Sequence, residues 1–323
     1  MPVGKNIFRL KPKFAGNRLN AHRLFAHLQA IVLANQIMRS ARCLDLKDPV
    51  FFYPHGKYTL FLSQEMKRRS FDLVHICMDY ELQEQIEHVR ISDVTLAIPE
   101  AAFFELRNLF GDKVCKLPQF GSPSTLRPAK RSRHKPLITP LPHFGAPSLI
   151  YLGNVEGRVD LELVGNLLRQ HPDWHFISFG DGQHRSLPPN CHVLPWGDPD
   201  VLAHLCSPHC IGFLPYNCAE PKNMHCVPLK LFDYFSLGLP VVSTPISYLS
   251  SHKDLVYLGQ TAQELADAVT NALEEPADSY RKSKRIAFAA EHSIENLSEL
   301  LSPLLVDTKQ FPPPGWPRPV APE

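Results

Sequence analysis

The residues best placed to do chemistry lie in one run, Val227-Pro-Leu-Lys-Leu-Phe-Asp-Tyr-Phe-Ser-Leu-Gly-Leu-Pro-Val-Val-Ser-Thr-Pro245. Pro228 suits the first position of a helix and Gly238 its carboxyl-terminal cap. The helix start, with His225 ahead of it and Leu229 within it, then offers free N–H groups and a positive dipole end. Together these make an anion seat. Lys230 adds a full positive charge to the first turn, where a cation is mildly unfavourable for the helix itself; a bound anion would account for it. Asp233 follows three residues on, on the same face, and could accept hydrogen bonds from a ribose diol. The alternative, a surface Lys230–Asp233 ion pair, stays open on the residues alone.

A second run, Tyr151-Leu-Gly-Asn-Val-Glu-Gly-Arg-Val-Asp-Leu-Glu162, ends a strand at Gly153 and passes through Asn154 to Arg158. An arginine fork suits bidentate grip of phosphate, although Arg158 could equally pair with Glu156 or Glu162. Gly180-Asp181-Gly182 closes another strand and permits close backbone approach, a weak signal by itself. Asp198-Pro-Asp200 mimics an acidic metal motif but reads better as a helix cap. Cys206, His209 and Cys210, with Cys218, His225 and Cys226, lack the paired Cys-x2-Cys spacing of a zinc site. No metal site is assigned.

These segments need a scaffold. The chain of 323 residues is 44% hydrophobic and 20% charged, a globular composition long enough for two domains. A formal net charge of +2 gives no mandate for nucleic acid. The basic cluster Lys130 to Lys135 lies in a Pro-rich stretch and reads as solvated linker. Lys5, Arg9, Lys11 and Lys13 interrupt any signal peptide, and Leu24–Met38 is too short and polar to span a bilayer. The expectation is a cytoplasmic protein, at most peripheral to the inner membrane face, with its cysteines reduced.

Strands and helices alternate in both halves. Strands are expected at 148–153, 174–179, 191–194, 210–215 and 240–244, with helices over 160–170, 200–206 and 228–237. A capping box, Thr261 with Glu264, opens the helix running to Leu273. In the first half, strands at 50–53, 72–78, 93–98 and 113–117 alternate with helices at 21–40, 81–90 and 101–110. This rhythm predicts an α/β protein with two Rossmann-like, doubly wound domains facing a cleft. The expected boundaries are 1–121, a linker over 122–147, a second domain over 148–310 and a disordered Pro-rich tail over 311–323.

Four of these segments carry a family resemblance: 151–164, Pro-Asp-Trp-His-Phe-Ile-Ser-Phe-Gly-Asp-Gly (172–182), Leu-Pro-Tyr-Asn (214–217) and 228–245. Together they resemble bacterial glycosyltransferases of the GT-B fold, group 1/family 4-like, of the teichuronic acid biosynthesis type. His75 to Asp79, Ser92-Asp93, 117–121 and His292 to Glu295 extend the likeness over most of residues 70–305. The resemblance implies sugar transfer from a nucleoside diphosphate sugar to a carbohydrate or lipid-linked acceptor, with retention and with no metal or other cofactor. It implies that Lys230 and Arg158 stabilise the leaving diphosphate and that Asp233 holds the ribose. The stretch from His192 through Trp196 to Gly197 would lie near the base. The chain departs from the family at His225 and Asn154. It begins near what would be the first domain's second strand, Asn6–Leu10, without a preceding Gly-rich turn. A non-catalytic nucleotide-sugar-binding relative is one alternative; a GT-B epimerase using Asp79 and His75 is another.

Overall fold

The computed structural model describes residues 2–4, 7–8, 23–43, 49–121, 147–179, 188–194, 209–301, 312 and 316. The chain divides into two compact units, one formed by Met1–Pro118 with Leu301–Glu323, the other by Gln119–Leu300.

In the first unit, β1 (Pro2–Gly4) pairs antiparallel with β2 (Ile7–Phe8). Of the strand expected at Asn6–Leu10, the described residues Ile7–Phe8 lie in a local ribbon, outside the parallel sheet. Chain neighbours can pair antiparallel through a tight connection, whereas a parallel partner needs a crossover. Then follow α1 (Arg23–Cys43), β3 (Val50–Pro54), α2 (Lys57–Arg68), β4 (Asp72–Cys77), α3 (Leu82–Ile91), β5 (Val94–Ala97), α4 (Glu100–Phe110) and β6 (Val114–Lys116). The four strands β3-β4-β5-β6 form a parallel sheet in sequence order. Gly111 ends α4 at φ 69°, the left-handed geometry that glycine adopts without strain. Helix α2 is absent from the sequence reading. Its N-cap, Gly56, has no side chain to cap with, so the usual start signal is missing.

From the tail, Trp316 is buried and its indole N–H donates to the Lys116 carbonyl at 2.8 Å. Trp316 lies within the tail expected to be disordered and is held at this one residue. An indole brings both a large apolar area and one N–H donor to such a contact.

A pair of stacked imidazoles fills the space between β4 and α3. His75 is fully buried, its ring 5.0 Å from that of His88, with Nε2 2.8 Å from Gln85 Oε1. His88 Nε2 accepts the Gly56 N–H at 3.2 Å. Burial, the largest cause in each case, lowers His75 to about 3 and His88 to about 4. His75 is therefore a neutral core residue, which removes it as an acid–base group. In the unfolded chain both rings protonate near pH 6.5, so below that pH the unfolded state binds more protons. Their contribution to stability is full above about pH 6.5 and falls as pH drops toward the folded values, by about 1.4 kcal/mol per pH unit for each ring. Urea midpoints at pH 7 and pH 5 should separate more for the native chain than for His75→Phe. Equal separation would show that the imidazole does not titrate on unfolding.

The second unit holds β7 (Ser148–Leu152), α5 (Leu161–Gln170), β8 (His175–Phe179), β9 (Cys191–Leu194) and β10 (Cys210–Leu214). It continues through α6 (Pro221–Met224), α7 (Leu229–Ser236), β11 (Val241–Ser243), α8 (Ser247–Ser250), β12 (Tyr257–Leu258), α9 (Ala262–Leu273), α10 (Tyr280–Glu291) and α11 (Ile294–Leu301). Its six strands are all parallel, in the order β12-β11-β10-β7-β8-β9. Renumbered within the unit this is 6-5-4-1-2-3, the Rossmann order. Strand order reverses between β7 and β10, the point outside whose carboxyl ends such sheets bind ligands.

Local signals explain the helix ends. Asp160 caps α5 by accepting from the Leu163 N–H, and Thr261 with Glu264 forms the expected capping box on α9. Gly238, at φ 69°, closes α7 with bonds from its own N–H to Phe235 and from the Leu239 N–H to Tyr234. The long apolar runs of β7, β8 and β10 are buried on both faces, as parallel strands under helices must be. Fully buried Arg285 of α10 bonds the Gly238 carbonyl and pairs with Glu275, so its charge is met inside the protein.

Candidate functional site

The site is built where β7 and β10 end. Gly153 follows β7 directly, at φ 127°. A side chain is tolerated poorly there on backbone grounds, and a Cβ would lie 3.5 Å from Lys230 Nζ. The loop to Arg158 is shaped by Asn154, whose Oδ1 accepts the Glu156 N–H at 2.9 Å. Asn154 is thus an Asx-turn former, a local reason for its side chain. Beyond β10, Val159 bridges Tyr216 and the Asp160 N–H reaches the Pro215 carbonyl at 2.8 Å, tying the two strand-end loops together.

Helix α7 starts one residue later than the proline rule suggests. Pro228 is extended (ψ 116°) and serves as N-cap, its carbonyl taking the Leu231 N–H at 3.1 Å. Lys230 consequently sits at the second helical position. It is not the surface residue its place in a first turn suggests. Its ammonium stands 3.8 Å from the Tyr151 ring centroid and 5.4 Å from that of Tyr216, and donates to the Tyr216 hydroxyl at 3.4 Å. Burial lowers its pKa to about 7, with Arg158 pushing the same way and Cys226 and Asp233 opposing. An ammonium held against aromatic faces is partly compensated by their quadrupoles but has lost most of its water. A bound anion would restore what burial removed.

Arg158 reaches across to α6. Its Nη1 donates to the Lys222 carbonyl at 3.1 Å and approaches Asn223 Oδ1 at 3.4 Å. Buried Asn223 in turn donates to the Arg158 and Asn217 carbonyls, fixing α6 against the loop. Lys222 faces the same loop, its Nζ 3.8 Å from a Cβ placed on Gly157. Asp233 lies one turn along α7, half-buried, with its carbonyl accepting from Ser236 Oγ.

The structure therefore brings together Gly153, Asn154, Arg158, Pro228, Lys230 and Asp233 around one strand-end cradle. His225 caps the end of α6 beside it, and Leu229 projects outward, 53% exposed. His192 lies in β9, its Nε2 3.1 Å from His175 Nδ1, and burial lowers both rings. Asp79 belongs to the first unit, just past the carboxyl end of β4. Gly180, Asp181, Gly182, Trp196, Gly197 and the Asp198–Asp200 motif lie outside the described residues. The described cysteines are free thiols.

Sequence reasoning overlooked the aromatic walls. Tyr151 and Tyr216 are buried, and the Tyr151 hydroxyl has no hydrogen-bond partner among the described residues. Both stand inside motifs whose glycine and proline drew attention instead. Tyr234 was also missed. Its hydroxyl donates to the Ile150 carbonyl at 2.9 Å and accepts the Leu152 N–H at 3.0 Å, clamping α7 to β7.

Fold and cradle define an α/β protein with two Rossmann-like units, the fold class of the GT-B glycosyltransferases. No protein-family model matches the chain. It is similar to a Bacillus subtilis (strain 168) protein assigned as the teichuronic acid biosynthesis glycosyltransferase TuaH, 30% identical over 116 residues. That match takes in 33% of this chain and 29% of TuaH, so the chain spans less than a third of its curated relative. Among solved structures, a UDP-forming α,α-trehalose-phosphate synthase from Burkholderia vietnamiensis superposes with TM-score 0.63 at 11% identity, over 88% of this chain and 77% of that one. HepE of Anabaena, solved with UDP, gives 0.63 at 11% identity over 85% and 82%; its UDP-glucose complex gives 0.61 at 12% over the same shares.

Proposed function

We propose that the chain is a glycosyltransferase that moves a sugar from a nucleoside diphosphate sugar to a carbohydrate or lipid-linked acceptor. One observation carries this reading: a desolvated lysine and an arginine-bearing loop meet at the switch point of a Rossmann sheet. As the glycosidic bond breaks, negative charge grows on the departing diphosphate. In this reading Lys230 and the first N–H groups of α7 receive that charge, and being held in place beforehand they need little reorganisation when it appears. Arg158 adds a second cation from the facing loop, and Asp233 takes the ribose hydroxyls. Because HepE was solved with UDP and UDP-glucose, uridine diphosphate sugars are the first donors to test.

The finer reading is retaining, metal-independent transfer on the cytoplasmic side, in assembly of a cell-surface polysaccharide. TuaH, by its assigned name, supports that biosynthetic setting. Asp79 is the acceptor-side acid–base candidate, tested by the turnover of Asp79→Asn. No helix among the described residues is long and apolar enough to cross a membrane.

Calorimetric titration with UDP and with GDP, each with and without EDTA, is the direct test. Binding of one nucleotide, unchanged by EDTA, is the expected result. Loss of binding in EDTA would overturn the metal-independent reading, and absence of binding to either would overturn the donor site. Donor hydrolysis by the purified protein would further separate an enzyme from a non-catalytic binder.

A further inference from the structure

His55, Glu81 and Glu84 lie far apart in sequence and converge in the first unit. His55 is the residue after β3, and Glu81 and Glu84 open α3, which follows β4. Strands β3 and β4 are adjacent and parallel, so all three residues stand at the carboxyl edge of the sheet, the edge where α/β units take ligands. One ligand atom from each lies within 4.8 Å of the others, and His55 Nε2 is 3.4 Å from Glu81 Oε2. A tetrahedral ion with bonds of about 2.1 Å sets its ligand atoms about 3.4 Å apart. The His55–Glu81 edge already has that length, and exposed Glu84 needs only a small side-chain rotation to match it.

The charge balance also asks for a cation. Glu81, the N-cap residue of α3, makes no side-chain capping bond, so its carboxylate is not used by the helix. The carboxylates of Glu81 and Glu84 stand side by side and repel, and a cation between them relieves that repulsion. The backbone beneath is held: the N–H of Gly56, next to His55, donates to buried His88. The His55 Nδ1 atom is enclosed and has no hydrogen-bond partner among the described residues.

We propose that His55, Glu81 and Glu84 form a divalent-cation site for a borderline first-row ion such as Zn²⁺, distinct from the nucleotide cradle of the second unit. One imidazole nitrogen and two carboxylate oxygens suit such an ion better than Mg²⁺, which keeps its water and prefers oxygen alone. The remaining coordination positions stay open to water or to a substrate hydroxyl. This proposal does not rest on the glycosyltransferase reading.

The full chain, stripped with EDTA and desalted, is titrated with ZnCl₂ and with MgCl₂ while melting temperature and heat are followed, and Co²⁺ serves as a spectroscopic substitute. The native chain should bind Zn²⁺ in preference to Mg²⁺. His55→Ala and Glu84→Gln should each weaken that binding by at least about tenfold, with UDP affinity unchanged. Glu84→Gln in EDTA should melt as the native chain does, so a lost site is not mistaken for a lost fold. Zn²⁺ binding equal in native and variant chains would overturn the proposal, as would no binding at all. Thiolate charge-transfer bands in the Co²⁺ spectrum would also overturn it, by placing the ion on cysteine.

Discussion

Lys230→Met should lower turnover by about 10²–10³-fold, the scale for losing one preorganised donor to a developing anion, and raise the melting temperature at pH 7. UDP affinity should fall by about tenfold or more, as for a lost charged hydrogen bond. The opposite signs of the two effects come from one fact. The ammonium is wedged between the Tyr151 and Tyr216 rings, and burial holds its pKa near 7. An unfolded lysine keeps its proton to about pH 10.4. Between those values the unfolded chain binds more protons, so stability rises with pH through that window, and the destabilisation is fully present below about pH 7. Methionine fills the same volume without the charge, and should gain about 0.5–2 kcal/mol at pH 7, a gain that fades toward pH 10. Nucleotide affinity of the native chain should fall above about pH 7, by up to about tenfold per pH unit, because only the protonated lysine seats the anion. Melting curves and UDP titrations from pH 6 to 9 on both chains read all of this. If Lys230→Met binds UDP as the native chain does, α7 is not the phosphate seat.

Gly212→Ala should destabilise the second unit by about 1–3 kcal/mol, the usual cost of overpacking a filled core. Gly212 lies in β10 at the centre of the sheet, paired to Val241 on one side and Ile150 on the other. A Cβ there would stand 2.5 Å from the Tyr234 ring. Tyr234 cannot simply withdraw, since its hydroxyl holds the Ile150 carbonyl and the Leu152 N–H on β7. Forcing the ring aside leaves those groups unsatisfied and loosens the clamp that sets α7, and with it Lys230, against Gly153. The melting temperature should fall by several degrees, and UDP affinity should fall with it. Tyr234→Phe keeps the ring and removes the clamp, so it should weaken binding without the steric cost. A Gly212→Ala protein as stable as the native chain would show that the sheet accommodates the methyl group and that the close approach is not fixed.

The parts of this site written in local code were readable without coordinates. Glycine at the end of an apolar run, proline and lysine at a helix head, and the Thr261–Glu264 capping box each act within a few residues. What stayed hidden depends on residues distant in sequence. The strand order that makes β7 and β10 neighbours is a property of the assembled sheet, so Tyr151 and Tyr216 could not be recognised as walls around one ammonium. His55, Glu81 and Glu84 carry no spacing signature, because two parallel strand ends bring them together. Helix α2 escaped because its cap is a bare glycine. Helix α10 escaped because Arg281, Lys282, Lys284 and Arg285 give it a polar look, although Arg285 is fully buried on Glu275. His75 misled in the other direction: a titratable residue beside Asp79 suggested chemistry, and its full burial on His88 makes it core.

The docking of Trp316 onto Lys116 bears on the order in which the chain can be built. The first unit draws on both ends of the sequence, with the whole of the second unit inserted between them. On a ribosome, residues 119–300 emerge with every strand of their sheet already made and can fold as they leave the tunnel. The first unit must wait, with the Lys116 carbonyl lacking this donor, until residue 316 has been made. For that interval the first unit lacks the apolar area and the N–H donor of its indole, so its packing is completed only after the second unit is able to fold.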